Sequence, residues 1–263
     1  MQKKMINNSF CVCPLASGSR GNSLFVSCRN ASILVDAGLS GVEIERRLSA
    51  VDLSPESLTA IIITHEHSDH IRGAGVLSRR FNIPLYITQK TYQACRQGLG
   101  KVEQFCFFEC GTPFEINQML VSPFSISHDA IDPVGLTMEY NGYKIGIATD
   151  LGIVTGLVKE HLKNSNILYL ESNHDSDMLI NGPYPWHLKQ RIKGRTGHLS
   201  NMDAKTLVSE LKTEALKHVI LAHLSEENNC PRKAAEEVLK SLNTSNIALH
   251  IAKPHQPGKV IKL

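Results

Sequence analysis

Residues 64–70, with the sequence THEHSDH, place four potential metal ligands within six consecutive positions, and no other stretch constrains the chain as strongly. The apolar run before them predicts a buried strand that ends where this loop begins. Imidazole and carboxylate groups are ligands that zinc, iron and manganese accept. Because so tight a loop cannot direct all four side chains toward one ion, we expect two metal ions, with His65 and His67 facing one and Asp69 and His70 the other. A polar surface loop is the alternative, but three histidines within six positions rarely occur by chance.

A dinuclear site needs further ligands, and three polar residues lie directly after other strand-like apolar runs. They are His128, Asp150 and His223, which follow the runs at 121–127, 144–149 and 218–222. Ligands at the same end of several strands can converge at one sheet edge. A single strand-end histidine is usually an ordinary residue, but together with the 64–70 loop these three complete a candidate set of seven ligands.

Short apolar segments recur along the chain and predict strands. They are Leu24–Cys28, Ser32–Asp36, Ala60–Thr64, Pro84–Ile87, Met119–Ile126, Val134–Tyr140, Lys144–Ala148, Ile167–Leu170, His218–Ala222 and Ile247–Ala252. Turn dipeptides Arg29-Asn30 and Asn141-Gly142 predict hairpins. Helical patterns cover Gly41–Ala50, Asn201–Lys217 (with Ser200 as its N-cap) and Pro231–Leu242. We therefore expect an α+β fold of two mainly antiparallel sheets with helices outside, in one domain over residues 1–263.

Composition restricts the function classes only loosely. A hydrophobic content of 42% and a charged content of 20% fit an ordinary globular protein, and a net charge of +3 is too weak to argue for nucleic acid alone. No apolar run approaches the roughly 18 residues that span a bilayer. The first residues lack the apolar region of a signal peptide, so we expect a cytoplasmic protein without membrane contact. In that compartment the seven cysteines are expected to be buried or free thiols, because no pair has the spacing of a structural zinc site.

The order HxHxDH, His, Asp, His over residues 65–223 resembles the signature of the metallo-β-lactamase superfamily. That resemblance implies a four-layer αββα sandwich with two divalent metal ions (zinc, manganese or iron) at the edge of its sheets. It implies that one metal is held by His65, His67 and His128, that the other is held by Asp69, His70 and His223, and that Asp150 bridges them. It also implies a hydroxide between the metals as the nucleophile.

Two further residues are similar to motifs of ribonuclease Z. Glu171 stands 21 residues after Asp150, and His198 in GHLS precedes the last ligand. The resemblance implies that the glutamate orients the histidine, which contacts the scissile phosphate or the leaving oxygen. A leaving alkoxide needs a proton that metal ions do not supply. We therefore count Glu171 and His198, with Asp69, as candidate catalytic residues.

The chain more closely resembles the YycJ (WalJ) group of small bacterial metallo-β-lactamase proteins than ribonuclease Z, and this resemblance runs almost end to end. It is carried by SGSRGNS (17–23), SHDA (127–130), DPVG (132–135), ESNHD (171–175), GHLSN (197–201) and AHLSEENN (222–229). It implies a metal-dependent phosphodiesterase, with a 5′-to-3′ DNA exonuclease as the activity proposed for the group. A small-molecule esterase, such as a cyclic phosphodiesterase, thioesterase or lactonase, is the alternative. A non-catalytic binding module is a remote one, because such proteins usually lose ligands and all seven are present.

Three segments are candidates for binding the substrate, which we expect to be nucleic acid, most readily DNA. The candidate residues are Ser17, Ser19, Arg20, Asn22, Asn173, His174 and Arg195. The glycine-rich turn at 17–22 either cradles a phosphate or simply reverses the chain. Asn173 and His174 either face the site or lie in a surface loop. The basic stretch 184–195 either contacts DNA or is a solvated helix with Trp186 in the core. The sequence leaves DNA against RNA, cleavage polarity and oligomeric state open.

Overall fold

The protein is described by a computed structural model over residues 10–242 and 246–263. Residues 1–9, to which the expectation about a signal peptide mainly refers, lie outside the described residues. The strands are β1 Cys11–Ala16, β2 Ser23–Cys28, β3 Ala31–Val35, β4 Ala60–Ile62, β5 Leu85–Thr88, β6 Phe105–Phe108, β7 Phe114–Ile116, β8 Met119–Ser125, β9 Val134–Tyr140, β10 Tyr143–Ala148, β11 Ile167–Glu171, β12 His218–Ala222, β13 Ala248–Ile251 and β14 Ile261–Lys262. The helices are α1 Gly41–Ser49, α2 Ser68–Ile71, α3 Ala74–Phe81, α4 Gln89–Leu99, α5 Gly156–Leu162, α6 Ser176–Asn181, α7 Trp186–Lys193, α8 Asn201–Leu211 and α9 Pro231–Leu242, with a 3₁₀ turn at Pro55–Ser57.

The strands form two seven-stranded sheets, in the orders β14-β1-β2-β3-β4-β5-β6 and β13-β12-β11-β10-β9-β8-β7. In the first sheet β3 to β6 run parallel, and in the second β10 to β13 do. The other pairs are antiparallel. The sheets are thus mixed, and the expectation of mainly antiparallel sheets was wrong. Helices connect each parallel pair, as such crossovers require. Only α1, α8 and α9 among them were predicted from the sequence.

Alternate residues of the inner strands face opposite sides, which builds the four layers. In β3, Ile33 and Val35 join the core between the two sheets, whereas Leu34 packs outward under the helices of the first sheet. In β12, Ile220 faces the other sheet and Val219 packs under the helices of the second. Two sheets packed face to face, each covered by helices on its outer side, confirm the αββα sandwich.

Most predicted elements lie within two residues of their observed ends, and both predicted hairpin turns are present. Asn141 and Gly142 have φ of 48° and 81°, the left-handed conformation that a tight hairpin turn requires. Helix α8 begins with a capping box between Ser200 and Asp203 but ends at Leu211, not at Lys217. Its predicted extension was wrong because the chain turns there and the Lys217 amide instead donates to the carbonyl of Asn166.

The connections that follow the strands gather at one edge of the two sheets. Residues 36, 64–70, 128, 150, 171–174 and 223 all lie at or just beyond a strand end there. Within the described part of the chain, no helix has the length and apolar character needed to cross a membrane.

Candidate metal centre and active site

Three imidazoles from two separate loops meet at this edge. The chain leaves β4 at Ile62 and carries His65 and His67 toward His128, which follows β8. His67 Nδ1 lies 3.1 Å from His65 Nε2 and 3.3 Å from His128 Nε2. Ring nitrogens at such distances need a shared proton or a cation between them. The structure thus brings together the three residues predicted for the first metal.

Asp150 lies between this group and the remaining predicted ligands. Its Oδ1 is 3.0 Å from His223 Nδ1 and 3.7 Å from His128 Nε2, and its Oδ2 is 3.4 Å from His70 Nε2. The carboxylate of Asp69 is 3.6 Å from the same His70 nitrogen. Asp150 therefore reaches members of both predicted ligand sets, as a bridging ligand must.

The polar atoms of this cluster suit two cations better than they suit one another. Asp150 Oδ2 and His128 Nδ1 are buried and have no hydrogen-bond partner among the described residues. Burial lowers the pKa of His70, but Asp36 and Asp150 outweigh it and raise that pKa to about 9. Burial likewise opposes ionisation of Asp150, yet His223 and His70 hold its pKa well below the usual range. Buried carboxylates that stay ionised beside unpaired buried ligand atoms fit divalent metal ions.

Asp150, His223 and the buried Asp36 share an unusual backbone. Their φ values are 57°, 55° and 61°, in the left-handed region that side chains with a Cβ seldom adopt. Each follows the end of a strand, so the left-handed residue turns the chain sharply and aims its side chain along the sheet edge. Such strained residues cluster at functional sites.

Asp36 supports the ligands from behind, and it was not among the predicted site residues. Its Oδ2 is 2.8 Å from both His70 Nδ1 and Thr64 Oγ1, and its Oδ1 accepts from the Thr64 amide at 2.9 Å. The bond to Nδ1 leaves His70 Nε2 facing Asp69 and Asp150, as a ligand requires. Its position just beyond β3, like that of the recognised ligands, was the available signal.

Glu171 and His198 form a dyad beside the cluster. Glu171 is fully buried, and its Oε2 accepts from the amides of Leu151 at 2.8 Å and Leu199 at 3.2 Å. Its Oε1 lies 2.7 Å from His198 Nδ1 and 3.1 Å from His223 Nδ1. Burial opposes ionisation, but the two histidines lower the pKa of Glu171 to about 2. The carboxylate therefore accepts the Nδ1–H of His198 and fixes that ring with Nε2 as its remaining functional atom.

Two residues of the glycine-rich turn are buried and support the proposed ligands, and two others are exposed. Ser17 Oγ accepts from the amide of His223 at 2.7 Å, and the Asn22 side-chain amide lies 3.1 Å from Asp69 Oδ2 and 3.0 Å from His70 Nε2. Both are buried behind the ligands. Ser19 lines the site, whereas the exposed Arg20 pairs with Glu226 at 3.2 Å.

The other candidate substrate contacts are also spread over several roles. Asn173 is buried and donates to the carbonyl of His223 at 2.8 Å. His174 is buried as well, and burial lowers its pKa to about 4. Arg195 is exposed and uses its carbonyl to accept from Ser127. Trp186 is 65% exposed, so the alternative that placed it in the core was wrong.

Two adjoining cavities open at the site. The first, here called the metal cavity, is lined by Ser19, His67, Ser68, Asp69, His128, Asp150, Arg191, His198 and His223. The second, here called the side cavity, is lined by Ser19, His128, Asp129, Asn173, Tyr184, Leu188, Arg191, Ile192, Thr196, Gly197, His198 and Ser225. Arg191, rather than Arg195, is the basic residue that faces both. Arg191 belongs to the predicted basic stretch but was not predicted as a site residue.

Similar proteins combine this fold with nucleic-acid chemistry. Residues 31–224 match the sequence family described as Beta-lactamase superfamily domain. The chain is 37% identical over 254 residues to exodeoxyribonuclease YycJ of Bacillus anthracis, a match that covers 94% of this chain and 96% of that protein. It is 38% identical over 241 residues to exodeoxyribonuclease WalJ of Streptococcus pneumoniae, covering 90% of each. The crystal structure of the metallo-β-lactamase fold protein YhfI from Bacillus subtilis superposes with a TM-score of 0.76 at 17% identity, over 98% of this chain and 100% of that one.

Proposed function

The chain belongs to the β-lactamase superfamily domain family and to its YycJ/WalJ branch, and on that premise we propose that it is a dinuclear metal-dependent phosphodiesterase that degrades DNA as a 5′-to-3′ exonuclease. The observation that carries the proposal is the Glu171–His198 dyad. It adjoins the metal cluster, because ligand atoms of Glu171 and His198 lie within 4.8 Å of those of Asp150 and His223. We assign the seven ligand positions without His198, since its Nδ1 lies 2.7 Å from Glu171 Oε1. Hydrolysis of a thioester would not need such a dyad, because a thiolate departs readily without protonation.

Seven side chains would hold the metals. His65, His67 and His128 are proposed for one ion and Asp69, His70 and His223 for the other, with Asp150 shared between them. Two divalent ions in these positions lower the pKa of water and stabilise negative charge on phosphate oxygens. We keep zinc, manganese and iron as the candidates, since mixed imidazole and carboxylate sites accept all three.

The remaining catalytic work belongs to the dyad. Glu171 is held by two backbone amides and accepts the Nδ1–H of His198, so the imidazole cannot rotate freely. His198 lines both cavities and directs Nε2 to the substrate side. From there Nε2 donates a proton to the oxygen that leaves phosphorus. Positioned general acids of this kind typically contribute about 10² to 10⁴ in rate.

The test is a cleavage assay with purified, metal-depleted protein reloaded with zinc, manganese or iron. Single- and double-stranded DNA and RNA of one sequence are labelled at either end. A 5′-to-3′ exonuclease releases the 5′ label at once as a short product and shortens 3′-labelled strands progressively. The Asp69→Ala variant is the control for contaminating nucleases and should lose the activity with every metal. Turnover of a thioester or lactone without cleavage of any nucleic acid would contradict the proposal.

A further inference from the structure

Helix α7, on the rim of the site, does not use its apolar face to build the core. None of its eight residues is buried. Leu188 and Ile192, four positions apart and therefore on one face, are half-buried and line the side cavity together with Tyr184. An amphipathic helix normally buries such a stripe against the protein. Here the stripe faces a cavity that is open to a ligand.

The side cavity adjoins the metal cavity. Four residues line both, namely Ser19, His128, Arg191 and His198. Two of these are a proposed ligand and the proposed acid, so a group in the side cavity adjoins the reacting bond. Arg191 is the one arginine or lysine among the residues that line either cavity. A phosphate group at the boundary between the two cavities would therefore lie beside the positive charge of Arg191.

Arg191 is held in place by a contact that a phosphate can replace. Its Nε and a terminal nitrogen lie 3.1 Å and 3.0 Å from Asp129 Oδ2, and both side chains are more than half exposed. Exposed ion pairs of this kind contribute little to stability. A guanidinium fork binds phosphate oxygens with two parallel hydrogen bonds, so the exchange favours an anionic substrate.

We propose that the side cavity binds the nucleoside attached to the scissile phosphate, with Arg191 binding an oxygen of that phosphate and with Tyr184, Leu188 and Ile192 contacting the base and sugar. This rests on the proposed nuclease function and adds to it the site that holds the nucleic-acid strand. The aromatic and aliphatic contacts would tolerate any base, since every base offers an apolar face.

The aromatic and aliphatic lining of the side cavity is tested with two phosphodiesters. One is a single-stranded DNA oligonucleotide, and the other is bis(p-nitrophenyl) phosphate, which carries no nucleoside. Leu188→Ala and Tyr184→Ala should each raise KM for the oligonucleotide by about 5- to 20-fold, because a stacked or apolar nucleoside contact is lost. The same variants should keep the wild-type metal content, and their loss on bis(p-nitrophenyl) phosphate should be several-fold smaller than their loss on the oligonucleotide, because a nitrophenyl ring fills only part of a nucleoside site. Equal losses on both substrates would overturn the proposal, because they would reflect damage to the metal centre.

Arg191 is tested by neutralisation. Arg191→Gln should lower kcat/KM for the oligonucleotide by about 10- to 100-fold, because a charge-assisted contact is lost, and Arg191→Lys should lose less. The salt dependence of oligonucleotide binding should become less steep by about 0.7 in log K against log salt concentration, the loss of one contact to a single strand. The matched control is Arg96→Gln, which removes an exposed arginine from α4, far along the chain, and lines neither cavity. It should change neither quantity.

The two proposals fail in different ways. If wild-type protein cleaves no nucleic acid, the nuclease function is wrong, and this appears without any variant. If wild-type protein cleaves DNA and Arg191→Gln matches it in kcat/KM and salt dependence, only the nucleoside site is wrong. Normal thermal unfolding of each variant shows that α7 and its neighbours remain folded.

Discussion

The metal side of the site and helix α7 across from it are held in place by opposite means. His65, His70 and Asp150 are buried, and their ligand atoms lie within 4.8 Å of one another; the buried Asp36 anchors His70. Helix α7 buries no residue and exposes Trp186 to 65%. The buried core thus holds the proposed metal ligands in place, whereas the proposed substrate contacts lie on a surface helix.

This contrast has a measurable consequence. Substitutions on the metal side should change metal content, stability and activity together, because each ligand also belongs to a buried network. Substitutions on α7 should change substrate binding and leave metal content and folding alone. The variants below test that separation, beginning with the largest expected effect.

Replacing Asp150 by asparagine should abolish activity. The change removes the negative charge that we place between the two metal ions while preserving the size of the side chain. We expect fewer than two metals per chain by elemental analysis and a loss of cleavage of more than about 10⁴-fold. Asp52→Asn is the matched control, because Asp52 has the same φ of 57° but is exposed outside the site. Two retained metals with near-normal activity would rule out a shared role for Asp150.

Replacing His198 by alanine should separate chemistry from metal binding. We expect both metals to remain, because His198 is not among the proposed ligands, and kcat to fall by about 10²- to 10⁴-fold. Added imidazole should restore part of the rate. His187→Ala, which removes an exposed histidine that lines neither cavity, should behave as wild type. Loss of one metal in His198→Ala would mean that this histidine is a ligand and that the ligand assignment is wrong.

The outcome for the ligand loop and for α7 shows what local sequence can and cannot predict. The 64–70 loop could be predicted as a candidate metal site because its potential ligands lie within consecutive residues. Asp36 was missed because its partners Thr64 and His70 are 28 and 34 positions away and meet it only in the folded chain. In the basic stretch, Arg191 and Arg195 look equivalent by charge. Which of them faces the site depends on the rotation of α7 and on the path of the loop after it.

The path of that loop depends on close backbone contacts, which the sequence does not reveal. A Cβ added at Gly197 would stand 2.2 Å from the carbonyl oxygen of Ile192. Glycine thus lets the residues before His198 pack directly on the end of α7. The mixed sheets were missed for a related reason. Helices α3 and α4 were not recognised, and without them nothing indicated that β4, β5 and β6 run parallel.

Replacing Asp36 by asparagine should weaken one metal more than the other. Asp36 contacts His70, a proposed ligand of the second metal, directly. It reaches the first metal's proposed ligand His65 only through the Thr64 hydroxyl, which lies 3.0 Å from His65 Nδ1. Loss of such a supporting carboxylate typically lowers metal affinity by about 10- to 100-fold. Competition with a chelator should therefore show one weakened site and one near-normal site. Equal weakening of both metals would indicate a general loss of structure, which thermal unfolding would reveal.

The smallest effect is expected for Trp186→Ala, and it tests the α7 side of the comparison directly. The indole is mostly exposed and lines neither cavity, so its removal should change the free energy of unfolding by less than about 0.5 kcal/mol. A buried leucine in α8 gives the opposite result, since Leu207→Ala should cost about 2–5 kcal/mol. If Trp186→Ala instead lowers the unfolding temperature by several degrees, the tryptophan holds α7 on the protein. The proposed contrast between a metal centre fixed by the core and substrate contacts on a surface helix would then be wrong. If stability is unchanged but affinity falls only for longer strands, the nucleic acid extends from the side cavity past the start of α7.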